Sequence, residues 1–407
     1  MNKAPLSTTL SYRWALLAII ALAAFSTLPW IGFSEFYTKG EPREAGLVVY
    51  MLDQMTWDAW IIPQSYADEF AYKPPLTHWL MAVSSMIFNG GEVSPLTARI
   101  PSALALIVMM GSFFVFIAKR RSIKEAFIAC FIAITCFELH RSGMSCRIDM
   151  IGALMQLYCW YEKRKPSQLI AVWVLLSFAT LAKGPVGSVV PLLIFFIYLL
   201  AVREKFWNAF KWCVMFFFPA LILPALWYYF AYQIEGEPFL IKSLSENVGR
   251  FLSLKTENMG ADYVLGVENP WYYYPPSILG GLIPWTILLL LSIPLIPFRK
   301  IKKFKNIFKN REQWHPLNLF CFITIVVSLI FFTIPTSKRS VYILYLYPFF
   351  SFYLARLFML LADRKHIAIN ISTGILASVS ILALATMILS GSNIVSLEGL
   401  SGRERTV

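Results

Sequence analysis

The sequence predicts an all-α polytopic membrane protein, and three observations carry that prediction. Of 407 residues, 58% are hydrophobic and 14% charged, with a mean hydropathy of +0.62; soluble domains carry about 45–50% apolar and about 25% charged residues. Apolar runs of about 18 residues or more, enough to cross a bilayer as helices, recur along most of the chain. The net charge of +13 sits mostly in short links between those runs, the pattern of topology-setting charge. In that arrangement it implies no nucleic-acid partner.

The elements follow in order. The first run, Leu16 to Phe36, is long and lacks a small-x-small cleavage site, so it reads as a retained span rather than a signal peptide. The basic links KRRSIK (119–124), EKRKP (162–166), REK (203–205), FRKIKKFKNIFKNR (298–311) and DRKH (363–366) are placed in the cytoplasm with the N-terminus. The spans then fall at 14–34, 97–118, 125–142, 149–161, 167–183, 186–202, 211–233, 272–297, 317–335, 340–361 and 367–390, which is about eleven helices. The opposite face receives a long first loop (35–96), a second long loop (234–271) and short loops at 142–149, 183–187 and 335–340. Within the first loop LTHWLMAVSSMIF (76–88) is apolar but too short to span, which fits a helix lying in the interface. The chain reads as one transmembrane domain over 1–390 with a tail at 391–407 and no separate soluble domain. Six cysteines (130, 136, 146, 159, 213, 321) lie mostly in apolar runs without metal-ligand spacing and read as small core residues. Four histidines argue against a His-rich metal cage.

The unusual polar residues gather on the face opposite the basic links: Glu41, Arg43 and Glu44, then Lys73, Arg147, Asp149, Lys183, Arg250, Lys338 and Arg339. Taken singly, each has a plain reading. KGEPREAG (39–46) is a solvated loop, and Asp149 is a helix N-cap. AYKPP (71–75) is an extended stretch, because proline restricts the residue before it. LAKGP (181–185) is a helix end, with Lys in the last turn, Gly after it and Pro beyond. Together they place Lys or Arg from five loops at one membrane face, against the positive-inside bias. Clustered Arg and Lys suit a phosphate, and acids among them suit a general base or a metal ligand.

The ordered stretches GEPREAGLVVYML (40–52), DAWIIPQ (58–64), AYKPPLTHWL (71–80), TARIPSALA (97–105), RIDM (147–150), LAKGPVGSVVPLL (181–193), PWYYYPPSILGGLIPW (270–285) and SKRSVYILYLYP (337–348) carry a resemblance. Over about residues 10 to 360 the chain resembles integral-membrane glycosyltransferases of the GT-C type, in the branch of the lipid A aminoarabinose transferase and the bacterial relatives of protein O-mannosyltransferases. The resemblance implies a GT-C-type fold with interfacial helices in its long first loop. It implies a monomer in the bacterial inner membrane that moves a sugar, by inverting displacement at the periplasmic face, from a polyprenyl-phosphate donor to a lipid A-like, other envelope or protein acceptor. Carried over by residue, it assigns Glu41 and Asp149 as the catalytic acids. It puts Lys73 on the donor phosphate, with Arg43, Arg147, Lys183, Arg250, Lys338 and Arg339 around it. Tyr72, Glu268, Trp271, Tyr342 and Tyr345 line the substrate. The sequence departs from the pattern at three places. Gly40 stands where the family has the catalytic Asp, which leaves Glu41 as its replacement. Tyr72 replaces an acid, and Val267, Glu268 and Asn269 precede Pro270 where a histidine is expected, so both positions of the family's divalent metal are changed. A different metal site would draw on Asp149 or Glu268. The rival readings are a protein O-glycosyltransferase, a non-catalytic relative and a transporter of lipid-linked substrates.

Overall fold

The structure, a computed structural model, describes residues 6–36, 40–64, 70–71, 73–143, 151–245, 268–292 and 314–364, with scattered positions from 367 to 378. The described residues form helices joined by turns, and their strand pairing is limited to two isolated bridges, Gln64 with Phe70 and Glu268 with Ser337. The chain opens with α1 (Leu6–Thr27), then three helices of the first loop, α2 (Gly40–Gln54), α3 (Trp57–Ile61) and α4 (Leu76–Phe88). The bundle continues through α5 (Pro95–Ala118), α6 (Ile123–Thr135), α7 (Phe137–Gly143), α8 (Ile151–Lys163), α9 (Pro166–Lys183), α10 (Val186–Ala201), α11 (Phe206–Glu235) and α12 (Glu237–Leu244). Further helices cover Tyr274–Gly281, Thr286–Ser292, Pro316–Thr333 and, after a 3-10 turn at Ser340–Leu346, Tyr347–Asp363.

Among the described residues, five helical stretches are long and apolar enough to cross a membrane: α5, α9, α11, Pro316–Thr333 and Ser340–Asp363. Tyr274–Gly281 and Thr286–Ser292, bent by 115°, make a sixth if they are one span. Eleven spans are not reached among the described residues. The apolar part of α1 and the whole of α10 fall short by length, and the third expected span breaks into α6 and α7 at Cys136, whose backbone is extended (φ −77, ψ 140). The last expected span, 367–390, lies mostly outside the described residues.

Helix ends are set by local chemistry. Ser94 and Thr97 form a reciprocal capping box at the start of α5, and Ser122 accepts from the Glu125 amide at the start of α6, each satisfying donors that the first turn leaves unpaired. LAKGPVG ends one helix and starts the next: Gly184 takes φ +76 as the cap of α9, and a Cβ at Gly187 would collide with the Ala179 carbonyl. Both positions require glycine, the first for its conformation and the second for close helix approach.

Two of the basic links, 119–124 and 162–166, meet at one end of the bundle. Arg120 from the α5–α6 link donates from Nε to both oxygens of Glu162 at 2.9 Å, Glu125 receives Arg121 at 3.2 Å and Arg356 at 3.6 Å, and the Arg164 guanidinium stacks over Trp160 at 4.5 Å. Between the ends lies an aromatic core in which Trp160 packs against Trp212 and Phe216, and Tyr158 against Tyr198 and Phe320.

At the other end the first-loop helices are pinned to the bundle. Trp79 Nε1 donates to the Trp60 carbonyl at 2.7 Å, Trp227 Nε1 to the Ile61 carbonyl at 2.8 Å, and Gln64 Nε2 to Glu235 Oε1 at 2.6 Å. Helix α4 buries Met81, Ala82 and Ser85 and exposes Leu80, Val83 and Ile87. An apolar stripe at i, i+3 and i+7 on a helix too short to span suits the interface plane.

Candidate functional site

The site is built from the start of α2. GEPREAGLVVYMLDQ forms a helix from Gly40, and its inward face runs through Glu41, Ala45, Val48 and Met51. That spacing of four, three and three residues is one helical stripe. It puts the Glu41 carboxylate, 3% exposed, against the first turns of α5. There Arg99 is buried and clamps it: Nε donates to Oε1 at 3.0 Å and Nη2 to Oε2 at 3.3 Å. The same guanidinium donates to the carbonyls of Ile31, Ser34 and Glu35, each at 2.8 Å, and to Ser34 Oγ at 3.1 Å. One side chain thus ties the exit of α1, the start of α2 and α5 together. The planar fork of arginine is what permits so many directed bonds from one charge.

The family resemblance makes Glu41 the base. The structure shows its carboxylate buried and held at both oxygens by one buried cation. The more accessible acid is Glu44, half-buried with a side chain 28% exposed. Its Oε1 accepts from Arg43 Nη2 at 2.6 Å and its Oε2 meets His78 Nε2 at 2.7 Å. An ionised carboxylate only accepts, so Nε2 carries the hydrogen. Nδ1 of this buried imidazole has no hydrogen-bond partner among the described residues.

Burial alone would raise the Glu44 carboxyl, but the hydrogen bond and charge of His78 and the charge and hydrogen bond of Arg43 outweigh it and hold the group well below the usual carboxylate range. A depressed folded-state pKa contributes stability that is fully present above the unfolded value of about 4.3 and is lost as pH falls through the folded value. Replacing His78 by leucine leaves burial less opposed, so the Glu44 titration moves up. The expected result is a thermal midpoint that starts to fall at higher pH in His78→Leu than in the wild type, read by melting curves between neutral pH and about pH 4. Superimposable pH profiles would remove His78 from this role.

The remaining expected site residues divide by burial. Lys73 is exposed in the turn before Pro74 and Pro75, which lead into α4, and Lys183 is half-buried in the last turn of α9. Arg339 is exposed, whereas Lys338 beside it is buried and clasped: its Nζ donates to the Asn269 carbonyl at 3.1 Å, and Asn269 Nδ2 donates to the Lys338 carbonyl at 2.9 Å. Burial pushes the Lys338 ammonium below its ordinary pKa. Trp271 is exposed and packs edge-on against Tyr272, Tyr342 tilts against Phe332, and Tyr345 is buried in the core. Tyr72, Arg147, Asp149 and Arg250 lie outside the described residues. Sequence reasoning missed three groups. Arg99 lay inside an apolar run and was read only as part of a motif. His78 could have been singled out as a lone imidazole one turn past Lys-Pro-Pro. Glu138, on α7, is a buried carboxylate that accepts from Arg141 Nη2 at 2.6 Å and Ser340 Oγ at 3.2 Å, next to Arg339.

The divalent metal that the family resemblance implies does not fit these residues. Asn269, where an imidazole is expected nearby, is engaged with Lys338, and Glu268 is exposed with its backbone bridged to Ser337. Among the described residues no three His, Cys, Asp or Glu side chains converge as a ligand set.

Residues 72–228 match the family model described as dolichyl-phosphate-mannose-protein mannosyltransferase. The chain is 23% identical over 398 residues to the undecaprenyl phosphate-alpha-4-amino-4-deoxy-L-arabinose arabinosyl transferase 2 of Proteus mirabilis, with 92% of this chain and 66% of that one covered. It superposes on ArnT from Cupriavidus metallidurans bound to undecaprenyl phosphate with a TM-score of 0.68 at 17% identity, covering 92% of this chain and 64% of the other. The archaeal oligosaccharyltransferase AglB from Archaeoglobus fulgidus, in complex with an inhibitory peptide and a dolichol-phosphate, gives a TM-score of 0.55 at 11% identity over 89% of this chain and 52% of the other. The chain spans 51% and 66% of the length of two curated relatives. With its apolar helices and these likenesses, the chain is an integral membrane protein with the GT-C-type fold of the integral-membrane glycosyltransferases it resembles.

Proposed function

We propose that the protein transfers a sugar from a polyprenyl-phosphate donor to a lipid A-like or other envelope acceptor at the periplasmic face of the inner membrane. The observation that carries the reading is the cationic rim at the end of the bundle that holds the first-loop helices. Arg43, Lys73 and Arg339 are exposed there, on the face opposite the basic links. The sequence is similar to a relative and a family model named for undecaprenyl-phosphate and dolichyl-phosphate sugars, and neighbours solved with the carrier lipids share the fold.

Displacement of the carrier phosphate builds negative charge on its oxygens. Fixed cations aimed at that charge lower the barrier without reorganising. Lys73, whose backbone is restrained by the proline that follows it, is the residue proposed for the phosphate, with Arg43 and Arg339 beside it. Arg147, Lys183 and Arg250 are proposed as further phosphate-binding cations. Lys338 is proposed to hold the 268–270 segment against 336–338 rather than to touch the donor. Trp271 and Tyr342 offer aromatic faces to a sugar. No step is routed through a metal.

The test supplies the purified chain in phospholipid nanodiscs with undecaprenyl-phosphate-linked aminoarabinose or mannose and with lipid A, and follows release of undecaprenyl phosphate and the mass of the acceptor. The reading predicts stoichiometric release and an acceptor heavier by one sugar. Donors that remain intact, with every acceptor unmodified, would contradict it.

A further inference from the structure

We propose that Glu44 is the proton acceptor of the transfer, taking the hydrogen of the attacking hydroxyl while Glu41 serves only as a brace. The inference rests on the sugar-transfer reading above and assigns a residue within it. As the acceptor oxygen forms its bond to the anomeric carbon, the bond from that carbon to the phosphate oxygen breaks. The electron pair leaves with the polyprenyl phosphate, and the proton, which becomes strongly acidic as the attacking oxygen shares its electrons with the anomeric carbon, passes to the Glu44 carboxylate.

Four observations converge on this residue. Both Glu41 oxygens are held by Arg99 in a buried setting, whereas Glu44, three residues on and only about 60° away around the helix, sits at the edge of that face and keeps 28% of its side chain exposed. Arg43 and His78 each bind one Glu44 oxygen, which fixes the group and keeps it ionised, yet a carboxylate has about four lone-pair positions and two bonds leave room for a substrate hydroxyl. The third observation is the space in front of it. Gly40 lies one turn earlier on the same stripe, a Cβ there would meet nothing within 4 Å, and helical side chains lean toward the N-terminus. The Glu44 side chain therefore leans over the opening that Gly40 leaves. Last, His78 sits five residues after Lys73 on the first turn of α4, so the helix that follows the proposed phosphate-binding lysine also orients the acid. The other described carboxylates suit the task less well. Glu138 is buried with Arg141 and Ser340, and Glu268 is exposed without a neighbouring donor among the bonds described.

The experiment compares wild type, Glu44→Gln and the double variant Gly40→Asp/Glu44→Gln in the nanodisc assay, with undecaprenyl phosphate binding measured in parallel. Proton transfer to a positioned side chain contributes about 10²–10⁴-fold. Turnover of Glu44→Gln should therefore drop by at least ~100-fold while undecaprenyl phosphate binds as in the wild type. An aspartate placed at position 40 should restore part of the rate, because it sets a carboxylate into the same opening. Near-wild-type turnover in Glu44→Gln overturns the proposal and leaves sugar transfer standing. So does a loss of turnover matched by an equal loss of undecaprenyl phosphate binding, which would make Glu44 part of the phosphate site. A wild type inert toward the donors overturns both readings.

Discussion

Arg99→Leu should yield a chain that melts far below the wild type or fails to survive extraction. Removing one partner of a buried ion pair costs about 3–5 kcal/mol, because the other charge stays behind uncompensated. Here Glu41 would be left with its carboxylate 3% exposed, and the carbonyls of Ile31, Ser34 and Glu35 would lose their donor. At about 2–4 °C per kcal/mol for a chain of a few hundred residues, the midpoint should fall by roughly 6–20 °C. Glu41→Gln keeps the shape and one acceptor oxygen, so it should also lower the midpoint, by less, with activity falling in step. The pairing Arg99→Met with Glu41→Leu, which removes both charges, should recover part of the loss. Thermal melts in detergent separate the two roles of Glu41. A Glu41→Gln chain as stable as the wild type but without transfer would return the base to Glu41.

Lys73→Ala should weaken undecaprenyl phosphate binding by about 10- to 100-fold, the equivalent of one charge-assisted hydrogen bond of about 1.5–3 kcal/mol. Its thermal midpoint should stay near that of the wild type, since the side chain is exposed. Lys338→Ala should do the reverse. That ammonium is buried and bonded to the Asn269 carbonyl, so its loss should lower the midpoint and change carrier affinity little. Two lysines that read alike in the sequence are thus separated by one pair of measurements. Unchanged affinity in Lys73→Ala would remove it from the phosphate.

Much of the fold is legible in the sequence because the bilayer writes a coarse signal. Apolar length and basic links depend on composition alone, and LAKGPVG announces its helix end and close approach through its two glycines. The site is less legible because it depends on helix phase and on distant pairs. Glu41 and Glu44 are three residues apart in one charged stretch. Only once 40–54 is a helix do Glu41, Ala45, Val48 and Met51 fall on one stripe, with Glu44 close beside it and still 28% exposed. That phase was present in the letters, but KGEPREAG read as a loop hides it. The Arg99 partner lies 58 residues away, a separation that no local pattern reports. Likewise SKR offers two cations, and only the turn at Ser340 and the contact of Lys338 with Asn269 decide which one is buried. Asp149 and Arg147 carry the same motif-level expectation and lie outside the described residues.

The central claim is that this membrane bundle uses its cationic rim to move a sugar off a polyprenyl phosphate. The most direct measurement is undecaprenyl phosphate released per sugar gained by lipid A, with purified chain and undecaprenyl-phosphate-linked aminoarabinose or mannose. One carrier released for each sugar transferred, with the rate collapsing in Lys73→Ala and Glu44→Gln, is the predicted result. Donor left intact by a folded wild type, or transfer at equal rates in wild type and both variants, would contradict it.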